Sequence, residues 1–258
     1  MILNALSKIG HGALILCSIA GKKTSFTIKS LRYLLTPPFY VKELWFAIIN
    51  IGFYSIPVIG MTAIFTGAVL ALQTYSGFAR FHAESSIAAV VTISITRELG
   101  PVIGGLMVAG RVSSAIAAEV GTMKVTEQLD ALRTLSTSPY RYLYAPRIAA
   151  GIISLPILVL ITNIIGIYGG YLVATHKLGF NASLYIQNSF KFLEIRDVLL
   201  GMVKAVIFGF IITTIGCYCG NECTKGAKGV GNATTNSLVY SSTLILISNY
   251  ITTSIFFL

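Results

Sequence analysis

From Leu44 to Ala79 the chain carries no Asp, Glu, Lys or Arg, and the same is true from Ile148 to Thr175, from Ala205 to Asn221 and from Gly229 to Leu258. A helix crosses the roughly 30 Å hydrocarbon core of a bilayer with roughly 20 apolar residues, and several of these runs exceed that length. Charged residues make up 11% of the 258 and apolar ones 55%, whereas a soluble domain carries about a quarter charged residues. Most of the surface of such a chain cannot face water. The fold class that follows is an all-α integral membrane protein.

Five spans are expected: about Ile48 to Gln73 with Pro57 inside it, a second within Ser85 to Ala118, then Ile148 to Ala174, Val198 to Cys219 and Ser237 to Phe257. Together they form one membrane domain over residues 43–258. Residues 1–42 differ, with Lys8, Lys22, Lys23, Lys29, Arg32 and Lys42 set among apolar residues. Leu31, Leu34 and Leu35 share a helical face ahead of Thr36-Pro37-Pro38, which breaks the helix. With Tyr33, Phe39, Tyr40 and Trp45 beside it, this segment reads as an amphipathic helix in the headgroup region. The apolar patch Ala13 to Ala20 is short and runs into Gly21-Lys22-Lys23, so no cleavable signal peptide is expected.

Cations set the orientation, because Lys and Arg accumulate in short cytoplasmic segments. With the N-terminus inside, the inner segments hold the six just named plus Lys124, Arg133, Arg141, Arg147, Lys225 and Lys228. The outer loops hold Arg80, Lys177, Lys191 and Arg196. The N-terminus is therefore expected in the cytoplasm and the C-terminus outside it. This topology also accounts for the net charge of +10; no aromatic-basic module or zinc finger points to nucleic acid.

The second span is unusual. Ser85 to Ala118 would be roughly 51 Å long as a helix, against roughly 30 Å of hydrocarbon, so it must tilt, protrude or break. Gly100-Pro101 is the expected break. Just before it stand Arg97 and Glu98, charges that are expensive in lipid and normally face a cavity or a partner. Adjacent helical positions do not face each other, so the two should have different partners: an anionic head group for Arg97 and a bracing role for Glu98, or a structural ion network for both. Gly100 and Gly104 are spaced for close helix packing, within one subunit or between two. Arg111, about one turn from the inner end, would snorkel.

After this span, Thr122 is a plausible N-cap for a short helix over about residues 122–132. It has an apolar stripe at Val125, Leu129 and Leu132, with Lys124, Glu127, Gln128 and Asp130 elsewhere. It is too short to span, and its stripe suits either a lipid surface or the groove of a soluble partner. Cys217, Cys219 and Cys223 match zinc spacings poorly and, with Cys17, read as small apolar fillers. No metal site is expected. His11, His82 and His176 are scattered at span ends and form no catalytic arrangement. No G-x-x-x-x-G-K-[ST] occurs, and the glycines from Gly226 to Gly231 have the wrong spacing for a phosphate loop. No catalytic residue is therefore expected in this chain.

Three blocks carry a family resemblance: Thr96-Arg-Glu-Leu-Gly-Pro101, Val108-Ala-Gly-Arg-Val-Ser-Ser-Ala-Ile-Ala-Ala-Glu119 and Gly121-Thr-Met-Lys-Val-Thr-Glu-Gln-Leu-Asp-Ala-Leu132. They closely resemble the MlaE/YrbE family of ABC permeases. Thr66-Gly-Ala-Val-Leu-Ala-Leu-Gln73 looks like that family's first-span signature, Pro139-Tyr-Arg-Tyr-Leu143 with Pro146-Arg147 its entry to the third span, and Gly229-Val-Gly-Asn-Ala-Thr-Thr235 its last cytoplasmic loop. Lys228 and Asn236 depart from the acid and base expected there.

The resemblance implies a homodimeric inner-membrane permease that moves phospholipid or related lipid between the inner membrane and the outer envelope. Residues 122–132 would be the coupling helix seated in separate ATPase subunits, with Val125, Glu127, Leu129, Asp130 and Leu132 in contact. ATP and Mg would belong to those subunits, and no cofactor to this chain. A periplasmic MCE-domain ring and a STAS-domain protein would be further partners. A lipid cavity between the two copies, near the first and second spans, would involve Leu70, Gln73, Arg97, Glu98, Gly100 and Pro101. The competing reading is a secondary transporter using Arg97 and Glu98 as an ion-coupled site, against which no inverted repeat of the second span is found.

Overall fold

The computed structural model describes residues 14, 18, 21–79 and 86–257. His11, Cys17, Arg80, His82 and Ser85 fall outside them, as does most of the segment before residue 21. Among the described residues there is no strand, and five helical stretches are long and apolar enough to cross a membrane.

A first helix, α1 (residues 21–34), ends before Thr36-Pro37-Pro38, as expected. It docks through Phe26, which is 4% exposed and packs on Tyr140, Tyr144 and Tyr218 at ring centroid distances of 5.4, 5.2 and 5.6 Å. Ile28, Leu31 and Leu35 stay exposed, the arrangement of a helix lying at a membrane surface.

The first span is α2 (Val41–Ile51) and α3 (Ile56–Phe78), joined by a 3-10 turn at Phe53–Ser55. Pro57 sits in the first turn of α3, where its missing N–H costs nothing. The second span does not break at Gly100-Pro101. It runs as α4 (Ile87–Ser94), α5 (Gly100–Val108) and α6 (Ser114–Val125), joined by single π-helical turns at Ile95–Leu99 and Ala109–Ser113. Its 39 residues make a rod of roughly 58 Å, so the excess length protrudes. The wide π turn ahead of Pro101 removes the clash that would otherwise kink the helix.

The expected helix over 122–132 is split. Thr122 is no N-cap, because α6 continues past it to Val125 and its hydroxyl bonds back to the Ala118 carbonyl at 2.8 Å. Glu127, at φ 60°, turns the chain into α7 (Gln128–Thr134). The third span follows as a π turn, Tyr140–Tyr144, leading into α8 (Ala145–His176). A short helix, α9 (Ala182–Lys191), is capped by the Asn181 side chain, which accepts from the Ser183 and Leu184 amides at 2.9 and 3.3 Å.

The fourth span is α10 (Ile195–Asn221), opened by a reciprocal Glu194/Asp197 cap. The fifth is α11 (Ala227–Phe257). Gly229 to Thr235 therefore lies in a helix and not in a loop, and the connection before it is only residues 222–226.

Backbone meets backbone where the spans cross. A Cβ on Gly67 would lie 1.8 Å from the Gly166 carbonyl oxygen, and one on Gly209 would lie 2.3 Å from that of Gly151. Gly100 and Gly104 face Asn163 and Thr162 of α8, so their spacing serves packing inside this subunit. The second, third and fourth spans are 50 to 56% buried, against 28% for the first and 17% for the last. The outer two therefore expose long apolar faces.

Candidate functional site: a charged cluster on a π-turned span

The first π turn brings Arg97 and Glu98 to α10 and α11. Arg97 Nε donates to Asp197 Oδ1 at 2.5 Å, and Asp197 is 5% exposed at its side chain. Glu98 Oε1 accepts from Lys204 Nζ at 2.7 Å and from the Thr253 hydroxyl at 3.0 Å. Its Oε2 accepts from Asn249 Nδ2 at 3.0 Å. The two adjacent charges do take different partners. Arg97, however, is committed to Asp197, which favours the ion-network reading over a head-group contact.

The geometry of Lys204 follows from Pro101. In a regular helix the carbonyl of residue 97 would accept from the N–H of residue 101, which proline lacks. Lys204 Nζ donates to that carbonyl at 3.1 Å. One turn earlier on α10, Gly201 lets the helix approach the Thr96 carbonyl, which would lie 2.8 Å from any Cβ there. Lys204 is fully buried at its side chain, while Arg97 and Glu98 are 32% and 37% exposed. Two cations and two carboxylates thus neutralise one another, with the Arg97–Glu98 edge left partly open.

The second π turn is held in the same way. The Ser237 hydroxyl of α11 donates to the Ser113 carbonyl at 3.0 Å. Arg111 does not snorkel freely: it donates to the Ser55 hydroxyl at 2.8 and 3.0 Å and to the Asn50 and Ile51 carbonyls at the end of α2. It lines a polar cavity of about 490 Å³ with Glu43, Glu119 and Arg147.

The other expected residues are distributed as follows. Leu70 packs, half-buried, on the cluster of Ala71, Ile87, Val91 and Ile95, which also receives Leu99 beside Glu98. Gln73 is exposed and continues an outward stripe of Tyr54, Val58, Met61, Phe65 and Val69. Leu129 is 3% exposed and belongs to the protein's own core, so the predicted apolar stripe does not face outward as a whole. What α7 and its flanks present is Glu127, Gln128, Asp130 and Leu135, the last 74% exposed.

Sequence reasoning missed Asp197, Lys204, Asn249 and Thr253. Lys204 could have been found: a lone lysine inside an apolar span calls for a partner. Asn249 and Thr253 carry no such signal. Cys217, Cys219 and Cys223 are buried and unbridged.

Residues 44–255 match the family described as Permease MlaE. The chain belongs to the MlaE permease family. A probable ABC transporter permease protein of Rickettsia bellii is 55% identical over 257 residues, covering 100% of this chain and 99% of that one. The intermembrane phospholipid transport system permease protein MlaE of Haemophilus influenzae is 39% identical over 210 residues, 80% of each chain. The chloroplastic protein Trigalactosyldiacylglycerol 1 of Arabidopsis thaliana is 37% identical over 203 residues, 79% of this chain and 58% of that one. This MlaE-family chain is thus a multi-pass ABC transporter permease, a transport subunit and not itself a catalyst. Membership in an ABC family displaces the secondary-transport alternative.

Proposed function

We propose that this permease moves phospholipid between the inner membrane and the outer envelope, driven by ATPase subunits on separate chains. The observation that carries the reading is mechanical. One continuous helix joins the α7 elbow to the Arg97/Glu98 cluster, so displacement at the elbow reaches the buried charges without crossing a flexible joint. Its π turns are wide hydrogen-bonded turns held by side chains of α10 and α11, and such turns mark functional sites in helices.

The ATPase would seat on Glu127, Asp130 and the half-buried Val125 and Leu132, with Leu129 anchoring the elbow from inside. The Asp130–Arg133 pair, 2.8 Å apart and exposed, contributes little to stability and is free to re-pair. A second copy would pack against the sparsely buried first and last spans. The lipid path between copies would then involve Leu70, Gln73, Gly100 and Pro101 with the charged edge. An MCE-domain ring would receive lipid at the α9 end, and a STAS-domain protein would accompany the ATPase. ATP and Mg would reside wholly in the partner. The twelve-to-four cation bias supports a cytoplasmic N-terminus and a periplasmic C-terminus.

The test is reconstitution of the permease and its ATPase in vesicles, following ATP-dependent transfer of a fluorescent phospholipid. Glu98→Gln should sharply lower transfer while the ATPase still co-purifies. Glu127→Lys with Asp130→Lys should abolish co-purification. Retention of both activities in these variants would remove the coupling scheme.

A further inference from the structure

Arg111 is held firmly but carries no countercharge. Its Nε and Nη2 donate to the Ser55 hydroxyl and to the Asn50 and Ile51 carbonyls where α2 ends, while Nη1 makes no bond and remains accessible. Among the described residues no carboxylate pairs with it. It lines the cavity of about 490 Å³ between α2, α6 and α8. Glu43 lines the same cavity and also lacks an opposite charge: its carboxylate meets only the Tyr142 hydroxyl, which donates to Oε1 at 3.2 Å. The other two charged residues of the lining pair with each other. Glu119 Oε1 accepts from Arg147 Nη2 at 2.6 Å, leaving Oε2 unbonded on a side chain that is 60% exposed. The cavity is thus formally neutral but divided, with an unpaired guanidinium at the level of Asn50 and free carboxylate oxygens nearer α7. An uncompensated charge inside a span is expensive and calls for a partner. A bare anion would satisfy Arg111 only to face two carboxylates, whereas a ligand with a negative and a positive group in fixed order satisfies both ends.

We propose that this cavity seats the head group of a zwitterionic phospholipid, its phosphate on Arg111 and its ammonium on Glu43 and Glu119. From Arg111 to Glu119 the second span advances roughly 12 Å, the reach of a phosphoethanolamine with a charge-assisted hydrogen bond at each end. A guanidinium presents planar donors that match a phosphate, and this one is already fixed by the end of α2, so little freedom is lost on binding. The order of charges is that of a lipid standing in the leaflet on the α7 side, with its ammonium toward the surface and its phosphate farther in. Phe46, Val112 and Ile116 add apolar wall, and the exposed Phe53 and Tyr54 beyond Arg111 offer surface to the acyl chains. This seat presupposes the phospholipid reading of the permease and lies at the α7 end of its lipid path; occupancy itself requires no ATP.

The test uses the full chain, without ATPase, in phosphatidylglycerol nanodiscs holding trace phosphatidylethanolamine with a diazirine near the ester end of one acyl chain. Illumination should label peptides containing α2 and the Phe53–Ser55 turn, about tenfold more strongly than the same probe built on phosphatidylglycerol. Glu43→Gln with Glu119→Gln keeps acceptors for Tyr142 and Arg147 while removing both negative charges, so it should fold, and the two probes should then label it alike. Arg111→Gln should lower phosphatidylethanolamine labelling by about tenfold; should that protein not elute as folded, the glutamate variant decides. Equal labelling by the two probes in the wild type would overturn the proposal, as would a preference that survives in the glutamate variant. Competition by free phosphoethanolamine would also overturn it, by making the cavity a site for a soluble ligand. Because no ATPase is present, failure here and failure of ATP-driven transfer in vesicles are read independently.

Discussion

Lys204 meets two demands with one ammonium: the charge of Glu98 and the carbonyl that Pro101 leaves without its helical donor. Replacing it with Met strands both. The expected loss is about 2 kcal/mol, since each unmet buried group costs about 1–3 kcal/mol while Glu98 keeps Asn249, Thr253 and some solvent. Pro101→Ala supplies a backbone N–H that a regular turn directs to the Arg97 carbonyl and the π register, in which Gly100 N–H bonds to Ile95, directs to that of Thr96. In that background Lys204→Met should therefore cost about 1 kcal/mol less than in the wild type. Thermal unfolding of the four proteins in detergent measures the coupling, and strictly additive losses would show that the residue 101 N–H does not take over the Arg97 carbonyl from Lys204. Proline and lysine are thus one device, though 103 positions separate them.

Among the elements, the seam between α3 and α8 makes the sharpest demand, because a Cβ on Gly67 would lie 1.8 Å from the Gly166 oxygen. Backbone cannot swing aside as a side chain can, so Gly67→Ala should cost about 2 kcal/mol or more. Gly77 lies on the same helix with nothing within 4 Å of its Cβ position, and Gly77→Ala should be neutral or stabilising by up to about 1 kcal/mol. Monodisperse yield and unfolding temperature of the pair separate packing from propensity. All five spans were legible because crossing lipid demands long helices with few charges. Their ends were not: α6 and α11 each continue through polar residues into what was expected to be loop or a separate helix. The break at Pro101 was misjudged because its remedy is Lys204, on another helix. Periodicity joined Val125, Leu129 and Leu132 on one face of a single helix, but the left-handed turn at Glu127 leaves Val125 on α6 and the two leucines on α7. In the fold Leu129 turns to the protein's own core, leaving α7's polar side outward.

At the scale of the whole molecule, the alternation of five spans places α7 and α9 at opposite ends. The Tyr142–Glu43 hydrogen bond at 3.2 Å, the Tyr144–Asn221 hydrogen bond at 2.9 Å and the Arg147–Glu119 pair at 2.6 Å tie together one end, which also holds Lys22, Lys23, Lys124, Arg133, Arg141, Lys225 and Lys228. The α9 end holds Lys177, Lys191 and Arg196. Because cytoplasmic loops retain Lys and Arg, the first end should face the cytoplasm. Gln128 on α7 and Ser183 on α9 are both exposed, whereas Cys217, Cys219 and Cys223 are buried, so with Cys17 replaced by serine a single introduced thiol is read against the parent chain. A membrane-impermeant maleimide added to cells with a permeabilised outer membrane should label Ser183→Cys and leave Gln128→Cys unmodified. Inverted inner-membrane vesicles should give the reverse. The opposite pattern would place α7 away from any cytoplasmic ATPase and end its role as the point of drive, while the charged cluster on the second span would stand unchanged.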